Sequence, residues 1–509
     1  MDTPENVVER RPSLTAVLSR GAAMAATARS GVSLPLKVLY SIGEVGNSLK
    51  SFSFGLFLLF YYTSVLGLPG SLVGLATALT IFWDAAIDPF IGHLSDRLYS
   101  SLGRRHPFML VGAICMGLGF VLVFSPPAGL SPSALFAWLT ITNIFLRTTN
   151  SLFTVPYYAL GAELSQDYHE RTSVTGFRAG FALFGTLVAA GLSFVVFFPN
   201  TTPGVDPKFS PSAYSSLGLT FGLAMTLTAL TAVLGTWPRR TKIQKAERPA
   251  TGKSLGFLDS LMLSLRNPAF LRLAASTSVF FLASVINATL AVHYLTYYAG
   301  IKESSSLSLF QISFYLGALA GVVLWLKIAK WIDKHRLYIG ATLTLALLIA
   351  AAYALVGEGH LFGTGNILPL AIGNGLGGFF ASALWVVPAS MVADVADQDE
   401  LTTGQRREGA FFGIHSFFLQ ESAGMALLVT GVLVDYFAGL IPGQVEQSPQ
   451  TINRLALLFS LLPAALFLVA AFLMRGYGLT RQKVEAIQCE LAQLRIEASH
   501  GDARSEGSA

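Results

Sequence analysis

Apolar runs long enough to cross a bilayer recur along this chain, and no other feature constrains its fold as strongly. A helix needs about 20 apolar residues to span the hydrocarbon core. Twelve spans are read, at about 38–66, 70–95, 108–127, 133–162, 173–198, 214–237, 268–299, 305–330, 337–356, 366–395, 408–438 and 452–474. The runs are continuous and not alternating, which argues against a transmembrane β-barrel. Within lipid each segment must satisfy its own backbone groups, so the spans are predicted to be helices. Only 12% of the 509 residues are charged, about half the share of a soluble protein. The expected fold is an all-α membrane protein: twelve transmembrane helices in two pseudo-symmetric six-helix bundles.

The division comes from the one long polar interruption, which carries Arg239, Arg240, Lys242, Lys245, Arg248 and Lys253. It predicts a tail at 1–36, a first bundle at 37–238, a central loop at 239–266, a second bundle at 267–475 and a tail at 476–509. Basic turns share the side of that loop: Arg97, Arg104 and Arg105; Arg171; Lys330, Lys334 and Arg336; Arg406 and Arg407. The other side keeps little more than Lys208, Lys302 and Arg454. The positive-inside rule therefore puts the loop and both termini in the cytoplasm. The first tail has no acid after Glu9; it reads as a basic cytoplasmic tail in preference to a transit peptide. No signal peptide is expected, because the first apolar run is a full span. The net charge of +5 sits in these turns and does not suggest nucleic acid. Cys115 and Cys489 offer neither a disulfide framework nor a metal cluster. Residues 480–497 carry a helical pattern (Val484, Ile487, Leu491, Leu494) with no catalytic or binding role indicated. Acid-plus-basic turns follow both the second and the eighth span, at Asp96-Arg97 and Asp333-Lys334, which suggests internal duplication.

Ionisable groups inside spans are costly and point to function. They are Glu44 and Lys50, Asp84 and Asp88, Arg147, Arg178, His293, and His415 with Glu421. Asp84 and Asp88 stand four residues apart on one helix face. Pro89 frees the carbonyl of Ala85 beside them, and Pro156 frees that of Leu152 near Ser151 and Thr154. Oxygens gathered this way suit a hard monovalent cation or a proton. The competing reading is that the acids form ion pairs with Arg147 or Arg178 and serve assembly alone. Glu44, Asn47 and Ser48 share a face, from which Lys50 points away. Arg178 has no acid within a turn of its own helix and needs Asp84, Asp88 or Glu44 from another. The two histidines read as hydrogen-bonded packing residues.

Several motifs together resemble a known family. They are Trp83-Asp84…Asp88-Pro89, Gly103-Arg104-Arg105-His106-Pro107, Val155-Pro156-Tyr157-Tyr158-Ala159-Leu160-Gly161-Ala162-Glu163-Leu164 with Tyr168, Glu170-Arg171 and Arg178, and, in the second half, Asp394, Asp397, Glu400-Leu401, Thr403-Gly404 and Arg406-Arg407-Glu408-Gly409. In order and spacing, over about 38–475, these resemble the glycoside–pentoside–hexuronide:cation symporters of the major facilitator superfamily. The resemblance implies the major facilitator fold and a melibiose-permease-like layout. Asp84, Asp88 and Ser151 would bind the cation. Glu44, Asn47, Ser48, Thr154, Tyr158, Arg178 and Gln420 would line the substrate site. Asp96, Arg97, Arg104, Arg105, Arg171, Asp397 and Arg407 would gate it. The departures carry weight: Ile87 stands where the permease has asparagine, Asn47-Ser48 where it has lysine–aspartate, Thr154 where it has aspartate, Tyr158 where it has tryptophan and Gln420 where it has lysine. Losing an oxygen at Ile87 weakens a sodium cage, whereas a proton needs one carboxylate. Losing two acceptors at Ser48 and Thr154 makes galactoside specificity doubtful.

The expected function is H⁺-coupled, in preference to Na⁺-coupled, symport of a small polar solute, a sugar or glycoside, by alternating access. A lysophospholipid-like substrate is the second reading, supported by 37 phenylalanines. A non-transporting sensor is the third, and buried acids argue against it. No enzyme is expected, since no nucleotide loop, metal spacing or nucleophile–base set is found. No cofactor is expected beyond the coupling H⁺ or Na⁺, and no metal beyond a Na⁺ at Asp84/Asp88. The expected partners are the solute, the cation and the bilayer, with the protein a monomer in a plasma (inner) membrane.

Overall fold

The structure is a computed structural model that describes residues 32–98, 100, 102–165, 168–199, 206–239, 264–329, 331–404 and 407–506. Most of the expected first tail and central loop, Lys330, Arg406, and the side chains of Asp96, Arg97 and Tyr168 lie outside the described residues. Twelve membrane helices follow in order. The first, α1, is assembled from Leu34–Ser41, Gly43–Ser53 and two π-helical turns, Phe54–Leu58 and Tyr61–Val65. Then come α2 (Gly70–Arg97), α3 (His106–Phe124), α4 (Pro132–Glu163), α5 (Tyr168–Leu192, ending in the π turn Ser193–Phe197) and α6 (Pro211–Thr236). The second half holds α7 (Pro268–His293 with the π turn Tyr294–Tyr298), α8 (Ser304–Ile328), α9 (Lys334–Leu355), α10 (Ile367–Thr403), α11 (Glu408–Leu433 with the π turn Val434–Ala438) and α12 (Pro449–Met474). A polar helix, α13 (Arg481–Glu506), ends the chain.

Local chemistry sets these ends. Proline stands in the first turn of α4, α6, α7 and α12, where its missing N–H costs nothing. Ser131, Asn267, Asn366 and Ser448 cap α4, α7, α10 and α12 by accepting from first-turn N–H groups. Helix α10 continues past residue 395 to Thr403 and stops at Gly404, whose φ of 69° suits only glycine well. Ten described helices are long and apolar enough to cross a membrane by length and composition alone. The two that fall short are α1 and α4. Both are made polar by the groups they carry inward: Glu44, Asn47, Ser48 and Lys50 on α1, and Arg147 to Ser151 with Thr154 on α4.

Helices of the two halves meet as α2 on α11, α5 on α8 and α1 on α7. Their described polar links gather at the face away from the chain termini, here the distal face. Thr63 Oγ1 lies 3.3 Å from His293 Nε2. Gly443 N–H donates to the Thr63 carbonyl at 2.9 Å. Asp435 at the end of α11 accepts from Gly70 and Ser71 N–H at 2.8 and 2.7 Å, so it caps α2 of the other half. Lys208 Nζ donates to Ile301 C=O at 3.1 Å, at the end of α7, and pairs with Asp206 at 2.8 Å. Burial holds the Lys208 ammonium below the usual lysine range, against the pull of Asp206. Gly70 and Gly431 let α2 and α11 touch backbone to backbone: a Cβ on Gly431 would fall 2.1 Å from the Gly70 carbonyl oxygen. Toward the terminal face the halves part. Among the described residues α4 and α10 form no packed pair, and a Cβ on Gly176, Gly180, Gly409 or Gly413 would meet nothing within 4 Å.

Candidate functional site

The first cluster joins α1, α4 and α5. Tyr40 and Tyr157 stack with ring centroids 4.5 Å apart, and each hydroxyl donates to the other residue's carbonyl, at 3.1 and 3.0 Å. Gly161 leaves room for the Tyr40 hydroxyl, since a Cβ there would lie 2.1 Å from it. This lock fixes the register of α1 on α4 and brings Glu44 to Tyr158. Glu44 Oε1 accepts from Tyr158 Oη at 3.2 Å and from Asn47 Nδ2 at 3.0 Å. Arg178 reaches in from α5 with Nε 3.9 Å from Glu44 Oε2 and its guanidinium 4.5 Å from the Tyr158 ring centre, a cation–π distance. Of the acids open to Arg178 in sequence, Glu44 is the partner. Glu44 Oε2 is buried without a hydrogen-bond partner, while Tyr158 is 40% exposed. The cluster therefore presents Tyr158 and the Arg178 guanidinium at its open side, with the Glu44 carboxylate buried behind them. That set matches hydroxylated rings, which present hydrogen-bonding edges and apolar faces.

Three expected substrate residues are placed less directly. The Ser48 hydroxyl donates to Glu44 C=O at 3.1 Å and that of Thr154 to Asn150 C=O at 3.0 Å, so both donors are used within their own helices. Gln420 is exposed on α11 and makes no hydrogen bond among the described residues.

The second cluster joins α2 and α4 near mid-membrane. Trp83 Nε1 donates to Thr148 Oγ1 at 2.8 Å and Asn143 Nδ2 to Thr80 Oγ1 at 3.2 Å. These bonds set α2 against α4 so that Asp84 Oδ2 meets Arg147 Nη1 in an ion pair. Ser151, one turn along α4 from Arg147, is the hydroxyl nearest Asp88 in its influence, with no hydrogen bond formed between them. Asp84 Oδ1, Asp88 Oδ1 and Arg147 Nε are buried without hydrogen-bond partners. Lys50 of α1 comes within Coulomb range of both acids, although sequence spacing turns it away from Glu44. Arg178 pairs with Glu44 and forms no ion pair with Asp84 or Asp88 among the described residues, so it stands apart from the acid pair.

At the terminal face the gating candidates hold helix ends together within each half. Glu163 accepts from Arg104 Nη2 at 2.8 Å and from Arg105 Nε at 2.5 Å. Arg171 Nε donates to Ser165 C=O at 2.7 Å. Arg407 pairs with Asp399 at 2.6 Å, and Asp397 accepts from Gln488 of α13 at 3.0 Å. Sequence reasoning missed the Lys37–Glu170 pair at 3.0 Å, the buried Lys334–Asp394 pair at 2.7 Å, and the distal roles of Lys208 and Asp435. Lys208 had one signal, as a lone base two residues after Asp206; Asp435 had none.

His293 and His415 are hydrogen-bonded packing residues. His415 Nε2 lies 3.1 Å from Thr277 Oγ1 within the second half, and His293 bridges the halves.

The chain is similar to known transporters over most of its length. It is 26% identical over 464 residues to the inner membrane symporter YicJ of Escherichia coli, covering 91% of this chain and 95% of that one. It is 24% identical over 500 residues to the sodium-dependent lysophosphatidylcholine symporter 1 of Gallus gallus, covering 92% and 91%. In fold it matches the crystal structure of a bacterial homologue of the human lysosomal transporter Spinster, with a TM-score of 0.60 at 13% identity over 87% of this chain and 97% of that one. The model of the MFS/sugar transport protein family matches residues 39–481. This agrees with the glycoside–pentoside–hexuronide:cation symporter motifs, and the chain, a membrane transporter and not an enzyme, belongs to that family.

Proposed function

We propose that the protein is a proton-coupled symporter of a neutral sugar or glycoside, working as a monomer in the inner membrane by alternating access. The observation that carries this reading is the pairing of two neighbouring clusters. One is an aromatic, hydrogen-bonding site at Glu44, Asn47, Tyr158 and Arg178. The other is an acid, Asp88, with a buried carboxylate oxygen left unpartnered. Burying such an oxygen is costly unless something binds there, and a proton is the smallest answer. Ile87 supplies no oxygen for a sodium cage. The six-plus-six division, with bundles at 37–238 and 267–475 and cytoplasmic termini, makes the distal seal extracytoplasmic. The structure is then the state open to the cytoplasm. Protonation and solute binding each favour the state that accepts both, which is coupling by linkage.

A lysophospholipid-like substrate is the second reading, favoured by one observation. The second half holds a cavity of about 390 Å³ lined by Phe310, Phe314, Leu345, Ile349 and Phe459, with Asn287 and Asn374 among its few polar groups. An acyl chain fits that lining better than a sugar does.

Purified protein in liposomes, offered a glycoside panel and lysophosphatidylcholine under imposed pH or sodium gradients, tests both. Uptake of a glycoside driven by a pH gradient alone is expected. Sodium-driven uptake at fixed pH overturns the coupling assignment, and lysophosphatidylcholine uptake without glycoside uptake overturns the substrate assignment.

A further inference from the structure

Two carboxylates one turn apart repel each other unless a cation stands between them or one takes a proton. Here a cation is already present. Arg147 sits at the middle of α4 and its guanidinium contacts Asp84 Oδ2. The side chains of Arg147 and Asp84 are 23% and 22% exposed, so the pair borders the central space and is not sealed in packing. The contact is also incomplete. Arginine–carboxylate pairs are frequently bidentate forks. In this one Asp84 Oδ1 and Arg147 Nε remain buried and unpartnered. The other charged groups facing the acids are Lys50 from α1 and Glu421 from α11. Neither forms an ion pair with them among the described residues.

We propose that Arg147 is the resident cation of this carboxylate pair: its guanidinium holds Asp84, leaves Asp88 for the transported cation, and keeps sodium from being caged between the two acids. This deepens the coupling reading and rests on it. Arginine keeps its charge at any working pH, so it does not hand a proton on. It neutralises Asp84 permanently, and one acid remains to cycle. A sodium ion needs several oxygens at once. With Asp84 Oδ2 taken, Ile87 contributing none and the guanidinium charge already beside the acids, a second cation is repelled from the space between them. The residue thereby determines which cation the site accepts, and it fixes one proton per cycle at Asp88.

The test needs no transported solute. Full-length protein in detergent is measured for saturable binding of radiolabelled sodium at alkaline pH. Wild type is expected to show none, and Arg147→Lys, which keeps a cation, likewise. Arg147→Gln should gain saturable sodium binding, at least about tenfold tighter than any residual binding by wild type, and adding Asp84→Asn should remove the gain. Sodium binding by Arg147→Gln no tighter than by wild type overturns the proposal. A second measurement uses wild type alone, in case the variant does not fold. Dicyclohexylcarbodiimide modifies protonated carboxyls in apolar sites, and peptide mass spectrometry locates it. Asp88 should be labelled severalfold more than Asp84; equal or reversed labelling overturns the proposal. Failure of the transport reading looks different: no pH gradient drives uptake of any panel member, while sodium binding and labelling keep the expected pattern.

Discussion

At the distal end of α1 the chain reads Phe60-Tyr61-Tyr62-Thr63 and turns at Gly67; at the same place in α7 it reads His293-Tyr294-Leu295-Thr296 and turns at Gly300. The backbones agree closely. Leu66 N–H donates to Tyr61 C=O at 3.0 Å and Leu68 N–H to Tyr62 C=O at 2.8 Å; their counterparts, Ala299 to Tyr294 and Ile301 to Leu295, measure 2.9 and 2.9 Å. Both glycines have positive φ, 78° and 65°. Helices α5 and α11 share a distal π turn in the same way. Mid-membrane the likeness stops. The first half carries Glu44, Lys50, Asp84, Asp88, Arg147 and Arg178, whereas the second offers Glu421 there, with His415 nearer the terminal face and an apolar cavity reaching toward the distal one. The pseudo-symmetric helices share their shape where the halves meet and differ where the charged groups lie. On this comparison the residues proposed for coupling fall in the first half.

That division can be broken directly. Asp88→Asn should reduce uphill accumulation in liposomes to background, the largest effect expected, while Glu421→Gln should leave a substantial part of it. Equal loss in the two variants would place coupling chemistry in both halves. The seal gives the next effect. Gly431→Val drives a side chain into the Gly70 carbonyl and should cost about 1–3 kcal/mol in thermal unfolding of the detergent-solubilised protein. Gly413→Ala, on the same helix in open space, should instead be neutral or stabilise by up to about 1 kcal/mol. If both behave alike, close contact at α2–α11 is not what holds the halves. Smallest is Thr63→Val, which removes the bond to His293 at a cost of about 1 kcal/mol. It should raise labelling of a cysteine placed at Ser64 by a membrane-impermeant reagent applied from the distal side. Unchanged labelling would mean that the seal does not depend on this bond.

How much of this was legible beforehand differs by scale. The helices were readable because each apolar run has only lipid to answer to. Helix α10 ran beyond its expected end because Asp394 and Asp399 find partners in Lys334 and Arg407 outside the apolar run. Within the site, the choice between Glu44 and the two aspartates for Arg178 depended on how α5 lies on α1, which spacing along one helix cannot supply. The same holds for Asp84 and Arg147, whose meeting follows from the Trp83–Thr148 bond. The caps at Asp435 and Lys208 join segments hundreds of residues apart in sequence or on opposite halves, so local pattern carried no trace of their partners. Ser48 and Thr154 show the opposite case. Their hydroxyls were legible as polar, but helices readily bind such groups to their own carbonyls.

The bare contact of Gly70 on Gly431 has a consequence for motion. Interlocked side chains must climb out of one another before helices can shift, and cores therefore tend to hold one of two discrete packings. At Gly70 and Gly431 two smooth backbones meet without such ridges, while further along the same pair of helices Ile81 seats over Gly424. The distal end of the α2–α11 contact can therefore roll with less repacking than the side-chain contact at Ile81. That roll is restrained at the distal rim by the polar links and by an apolar core shared between the halves, in which Phe57 and Tyr61 lie with Ile286, Leu290 and Tyr294.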